Sequence, residues 1–251
     1  MHKKPRSRES TIRFGAPAYI NTLPLLYALQ KKIIPNDFVF TFAVPTTINK
    51  LYAEEKLDVA ITSANFALPL THVPFGISAR KKVKSVLLFV RKGIALETLD
   101  RIAVPAASAH SRELLRIIAH HFWKIVPSYV LFHTVGEAVK FNAFLLIGDP
   151  CLRFSDRDNY TIYDLAEVWA EHTKTPCTFA LTVTYEFDPS ALLQASLDFS
   201  CSHLAYILAE AAERTKLPQK QLLDYFSSLE FVLSENHMQG LKQYEVLAKA
   251  T

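Results

Sequence analysis

Thr11-Ile12-Arg13-Phe14-Gly15-Ala16-Pro17-Ala18-Tyr19-Ile20-Asn21-Thr22-Leu23-Pro24-Leu25-Leu26-Tyr27-Ala28-Leu29 is the stretch whose pattern sets the fold. Thr11–Gly15 reads as a short strand, and Ala16-Pro17 ends it. Leu25, Leu26 and Leu29 recur at helical spacing and carry a helix over Thr22–Lys31. Asn21 and Thr22 stand at the junction, where either side chain can accept from free backbone N–H groups. Pro24 fits a first helical turn because its missing N–H has no intrahelical partner there. The same free N–H groups make a helix start an anion site. Asn21-Thr22 therefore reads either as a plain helix cap or as part of a ligand site.

The unit repeats along the chain. Phe38–Val44 is β-branched and aromatic, Thr46 or Thr47 caps a helix over Ile48–Glu55, and Leu57–Thr62 is a short apolar strand. Ser63-Ala64-Asn65 then opens another helical turn. Gly76–Ser85 is polar and basic and leads into the apolar strand Val86–Val90. Past Lys92-Gly93 a second series begins: strand Arg101–Val104, junction Ser108-Ala109-His110-Ser111, helix Arg112–Lys124, and strands Tyr129–Phe132 and Ala143–Pro150, the last ending in a turn. Tyr160–Tyr163 and Phe179–Thr184 follow as strands, and from Pro189 the chain reads as helical to near Lys249, apart from Phe231-Val232-Leu233. Such alternation predicts an α/β protein of mostly parallel sheets flanked by helices. Crossings near Val86–Lys92 and Phe179–Thr184 divide it into a discontinuous lobe 1 (10–90 and 185–251) and an inserted lobe 2 (91–184), behind a disordered basic tail (1–9). Ligands of open α/β sheets bind beyond the carboxyl ends of strands. Four junctions then meet at one cleft: Asn21-Thr22, Ser63–Asn65, Ser78–Ser85 and Ser108–Ser111.

Composition narrows the chemistry. Of 251 residues, half are hydrophobic and about a fifth charged, ordinary for a folded enzyme or binding protein. Only six glycines and no GxGxxG or GxxxxGK[ST] argue against nucleotide cradles of those types. The net charge of +4 owes much to His2–Arg8, which no apolar run follows, so a signal peptide, a nucleic-acid arm and a membrane span are not expected. Three scattered cysteines (Cys151, Cys177 and Cys201) suit a reducing, cytoplasmic setting, and the histidines lack metal spacing. No cofactor or metal is expected; the partner is a small anionic molecule, and the protein is a monomer or dimer.

Neutral donors at helix starts suit a small anion, each contributing about 0.3–1 kcal/mol. Arg80, Lys81, Lys82 and Lys84 either add long-range attraction or form a solvated loop. No GxSxG is present. His110 is open to acid–base work or to a solvent-facing place near a cap. Asp149 either orients a ligand or serves the Asp-Pro turn.

Tyr19-Ile20-Asn21-Thr22-Leu23-Pro24-Leu25 resembles the signature of the chorismate dehydratases of the futalosine route to menaquinone. Leu57–Ser63, Gly76-Ile77-Ser78 leading to Lys84–Phe89, Leu145–Asp149, Tyr163-Asp164-Leu165 with Trp169, Pro176 with Phe179-Ala180, and Gly240-Leu241 with Tyr244 follow in that family's order, over residues 12–248. The resemblance implies a two-lobed fold like the type II periplasmic binding proteins, with the ligand between the lobes. It implies cofactor-free conversion of chorismate to 3-[(1-carboxyvinyl)oxy]benzoate and water. Carried over, Asn21 and Ser85 sit at the reacting ring, and Ser63, Ser108 and Ser111 bind carboxylate; Tyr19, Thr22, Asn65, His110 and Asp149 complete the expected substrate site. Departures are Ser78-Ala79-Arg80-Lys81-Lys82 for a Ser-Ser-Gly-Pro-like run, His110 for threonine, Thr173-Lys174-Thr175-Pro176 for Thr-Gly-Leu-Pro, and Thr182 for tryptophan. The first two are expected to line the cleft, the others to lie near the hinge. A sister enzyme forming 1,4-dihydroxy-6-naphthoate, or a non-catalytic anion binder or sensor of the same fold, are the alternatives.

Overall fold

A computed structural model describes residues 11–251; the basic tail lies outside the described residues. The first half comprises strand β1 (Ile12–Pro17), helix α1 (Leu23–Gln30), β2 (Phe38–Ala43), α2 (Pro45–Ala53), β3 (Val59–Ser63), α3 (Ala64–Ala67), β4 (His72–Ala79), β5 (Val86–Arg91), β6 (Arg101–Pro105) and α4 (Ala109–Ile117). α4 runs on into a π-helical segment, Ile118–Trp123. There follow β7 (Ser128–Phe132), α5 (Val135–Ala138), β8 (Ala143–Ile147), α6 (Gly148–Arg153), β9 (Tyr160–Asp164), α7 (Leu165–Thr173) and β10 (Cys177–Thr184). The chain ends with α8 (Ser190–Ser202), α9 (Leu204–Thr215), α10 (Gln219–Phe226), β11 (Glu230–Val232) and α11 (Glu235–Lys249).

Two sheets form, ordered β11-β4-β10-β3-β1-β2 and β7-β6-β8-β5-β9. The apolar runs of β3 and β8 are buried at every position, as expected of strands covered on both faces. α1 is apolar nearly all round because it is covered on every side: six of its eight residues are buried, and Tyr27 stacks on Phe199 of α8 at 6.4 Å. Enclosing each such leucine is worth about 1.5–3 kcal/mol.

Three expectations are corrected. The sheets are mixed rather than mostly parallel: β1 pairs in parallel with β2 and β3, and β6 with β7 and β8, but the pairings of β4, β5, β9, β10 and β11 are antiparallel. Only a strand–helix–strand crossover on one sheet forces parallel pairing, and β5 and β10 arrive from the other sheet. The chain also crosses earlier than expected. β5 belongs to the second sheet and β10 to the first, placing the crossings between Ala79 and Val86 and between Asp164 and Cys177. A buried apolar strand reads the same whichever sheet receives it. Third, part of the polar stretch Gly76–Ser85 is strand: β4 ends at Ala79, and its Ser78 hydroxyl donates to the Cys177 carbonyl at 2.9 Å.

Helix ends differ in detail. Thr22 does not cap α1; its hydroxyl donates back to the Tyr19 carbonyl at 2.9 Å. α2 starts at Pro45, before Thr46 and Thr47. With few glycines available, lysines hold left-handed positions at several helix ends: Lys124, Lys174 and Lys216 all have φ near +60°. That conformation costs a non-glycine residue about 1 kcal/mol. Lys216→Gly, at an exposed helix end, is expected to stabilise the protein by about 0.5–1 kcal/mol, read from the urea unfolding midpoint.

Candidate functional site

The carboxyl ends of β1, β3, β6 and β8 converge on a cavity between the two sheets. It is lined by Pro17, Tyr19, Asn21, Pro45, Ser63, Ile77, Phe179 and Ala180 from the first lobe's elements, and by Val83, Ser85, Val86, Ser108, Ser111, Ile147 and Gly148 from the crossing and the second sheet. Its volume is about 50 Å³, and Tyr19 and Ile147 also line a neighbouring pocket of about 440 Å³. Among the described residues no charged side chain lines the inner cavity.

Six of the ten expected site residues are brought together here: Tyr19, Asn21, Ser63, Ser85, Ser108 and Ser111. Ser108 caps α4, its oxygen accepting from the Ser111 N–H at 3.2 Å while its own proton goes to Ser111 Oγ at 3.1 Å. The positive end of the α4 dipole therefore faces the cavity with two hydroxyls. Asn21 Oδ1 and Ser63 Oγ are buried and have no hydrogen-bond partner among the described residues. An unmet buried polar atom costs about 1–3 kcal/mol, so two of them on one cavity wall mark it as built for a polar ligand.

The other four lie outside the cavity. Thr22 is buried beneath the turn it braces. Asn65 reaches across to α4, its amide donating to Glu113 Oε2 at 2.9 Å, where the Tyr244 hydroxyl also donates. Asp149 joins the lobes: its Oδ1 accepts from the Ile20 N–H at 3.0 Å, and burial raises its pKa. His110 sits behind the wall, edge-on to Phe179 at 6.1 Å and against Tyr244 at 4.8 Å. It does not face solvent; it is buried, and burial pushes its pKa down to about 4 against the opposing effects of the Glu113 charge and a backbone hydrogen bond with Thr178. A neutral, enclosed imidazole is a poor general acid here. The basic run is also outside: Arg80 pairs with Glu230, Lys82 with Glu167 and Lys84 with Asp224, and the Ser78–Lys82 departure does not line the inner cavity. Thr182 is buried in β10.

Local sequence gave little notice of several other groups. Asn49 on α2 accepts from the Ser63 N–H at 3.1 Å; an asparagine inside a helix, where it is a poor former, was the available signal. The Tyr225 hydroxyl on α10 donates to Ser85 Oγ at 3.1 Å, and 140 residues separate them. Phe179 and Ala180 both line the cavity although adjacent residues of a strand point oppositely. A register shift between Thr178 and Ala180 against β4 makes this possible, since a bulge re-aims the extra side chain.

Gly148, on the cavity wall, packs closely against Tyr19. At φ +59° its N–H donates to the Ser85 carbonyl at 2.7 Å, and a β-carbon there would lie 2.7 Å from Tyr19 Cδ1. Burial with the nearby Asp149 charge lifts the Tyr19 pKa to about 12.

Two outcomes are expected. Gly148→Ala, strained in backbone and colliding with Tyr19, should lower stability by about 2 kcal/mol or more in urea unfolding. For His110, the folded pKa lies below the unfolded value of 6.5, so between pH 6.5 and 4 the unfolded chain binds more protons. Stability should then fall as pH drops through that window, by at most about 1.4 kcal/mol per unit, with no effect above it. His110→Gln should flatten that slope in unfolding curves measured from pH 4 to 8.

A family model described as menaquinone biosynthesis matches residues 12–250. No functionally curated protein matches at the sequence level. Among solved structures, protein AF1704 of Archaeoglobus fulgidus superposes with a TM-score of 0.77 at 16% identity, over 97% of this chain and 98% of that one. The periplasmic aliphatic sulphonate binding protein SsuA of Escherichia coli gives 0.62 at 15% identity, covering 95% and 92%. The CA3427 gene product of Candida albicans, described as having the generic periplasmic binding protein fold, gives 0.60 at 12% identity, covering 96% and 91%. The architecture is thus that of the periplasmic binding proteins, in two lobes with the cavity between them.

Proposed function

The chain belongs to the menaquinone-biosynthesis family, and within it we propose that the protein is a cytoplasmic chorismate dehydratase, a lyase producing 3-[(1-carboxyvinyl)oxy]benzoate. The observation that carries this reading is the meeting of Asn21, Ser63, Ser85, Ser108 and Ser111 from both lobes on a cavity that no charged side chain lines among the described residues. The reaction needs no redox partner. A proton leaves the ring carbon that bears the ether oxygen, its electron pair closes the third ring double bond, and the hydroxyl departs from the neighbouring carbon. One proton and one hydroxide leave as water, and aromaticity supplies the driving force.

The protein's part is placement and neutral hydrogen bonding. Ser108, Ser111 and the α4 start hold one carboxylate, with Ser63 as a further donor. Tyr19 and Phe179 offer flat apolar faces to the ring, and Asn21 and Ser85 stand at the reacting carbons. Ligand pockets usually exceed about 300 Å³. Chorismate therefore extends into the outer pocket or enters with the lobes parted, as hinged folds allow. Asp149, through the Ile20 N–H, keeps the Asn21 turn seated as the lobes meet.

Incubating the purified protein with chorismate and following ring aromatisation by ultraviolet absorbance tests the assignment. Turnover is expected, and Asn21→Ala should lower kcat about 100-fold, the usual cost of one lost transition-state contact. Tight chorismate binding without product would make the protein a binder or sensor. Neither binding nor product would favour the sister activity forming 1,4-dihydroxy-6-naphthoate.

A further inference from the structure

Ser85 lines the cavity, and its hydroxyl meets a residue from a remote helix. Tyr225 is 2% exposed on α10, and its O–H donates to Ser85 Oγ at 3.1 Å. The adjoining pair is fastened too: Lys84 Nζ lies 2.6 Å from Asp224 Oδ1 and donates to the Asp224 carbonyl at 3.0 Å. Residues 84 and 85 are thus cross-linked to residues 224 and 225 at consecutive positions. Lys84 holds φ +61° in doing so, and its N–H donates to Asp164 Oδ2 at 2.7 Å. The segment carrying Ser85 is fixed from three sides: by Asp164, by the Gly148 N–H and by α10.

We infer that Tyr225 is a positioning residue that turns the Ser85 proton toward the substrate's departing hydroxyl. This rests on the dehydratase reading. A phenol is a stronger acid than an aliphatic alcohol, so when the two pair away from water the phenol donates. A serine oxygen that accepts from Tyr225 keeps its own proton for a second partner, and the cavity is the side left to it. Without Tyr225 the serine hydroxyl can rotate and spend its proton elsewhere. Burial holds Tyr225 protonated well above the ordinary range, against the opposing effects of Ser85 and Asn21, so its donor role persists at any working pH. In the elimination, the Ser85 O–H bonds to the oxygen that gains negative charge as the ring C–O bond breaks. Both residues end the cycle as they began, and the ring proton and the hydroxide make up the water released.

Tyr225→Phe keeps the ring and removes only the hydroxyl. It is expected to lower kcat about 10- to 100-fold, with KM changed less than about 3-fold. Ser85→Ala should lower kcat further, and the double variant should lose clearly less than the product of the two single losses, because Tyr225 reaches the departing hydroxyl through Ser85, its other side-chain contact being with Asn21. An unchanged kcat in Tyr225→Phe, or losses that multiply in the double variant, would overturn the inference. A second readout needs no turnover. In protein labelled at tyrosine 13Cζ, the resonance missing from Tyr225→Phe should shift in Ser85→Ala and should not titrate near pH 10, where free tyrosine does. A resonance indifferent to Ser85→Ala would overturn the inference whatever the activity. Wild-type protein inert toward chorismate would overturn the dehydratase reading instead.

Discussion

One glycine holds the two halves of the site in register. Gly148 follows β8 and opens α6 with a left-handed φ of +59°, its N–H ties down the Ser85 carbonyl, and its bare α-carbon lies against the Tyr19 ring. The next residue, Asp149, accepts the Ile20 N–H. Within two residues of chain, the second sheet thereby grips both the turn that presents Asn21 and the crossing that presents Ser85. A larger residue would force the Tyr19 ring to shift, because its β-carbon would lie 2.7 Å from Tyr19 Cδ1. Preorganisation at the seam depends on that close approach, since donors act strongly only when they need not move at the moment of reaction.

Among the described residues the cavity has no charged side chain of its own. A lysine or arginine inside so small a cavity would carry a desolvation cost of several kcal/mol, and the chain places its cations elsewhere, paired with acidic groups on the surface. What remains are hydroxyls, one amide and a helix start. These cost less to bury, yet Asn21 Oδ1 and Ser63 Oγ still lack partners among the described residues. Buried ionisable groups around the site are set to stay neutral: His110 is held well below its ordinary pKa, and Tyr19 above its own. A cavity of this kind orients a ligand by neutral hydrogen bonds, which is what the proposed elimination asks of it.

Much of the site was legible because strand–turn–helix junctions carry their own punctuation. Asn21, Ser63, Ser108 and Ser111 each stand where an apolar strand gives way to a helix, and the carboxyl-end rule put them on one cleft. His110, Asn65 and Asp149 share those junctions, but short-range pattern does not tell which side of a helix start faces the cleft. α4 turns Ser111 to the cavity and His110 to Phe179 and Tyr244. The β4 strand was hidden because Pro74, Gly76 and Ser78 weaken its local pattern, and it exists because β10 and β11 flank it.

The sequence by itself determined the succession of strands and helices, the absence of nucleotide-cradle motifs, and the polar turns at strand ends, since all of these follow from neighbours a few residues apart. Only the tertiary structure decided which sheet receives β5 and β10, that Phe179 bulges into the cavity, and that Tyr225 meets Ser85. Apolar strands pair equally well with many partners, and a contact across 140 residues leaves no local trace. Their selection belongs to the packing of the whole core, where volume and hydrogen-bond satisfaction are settled together.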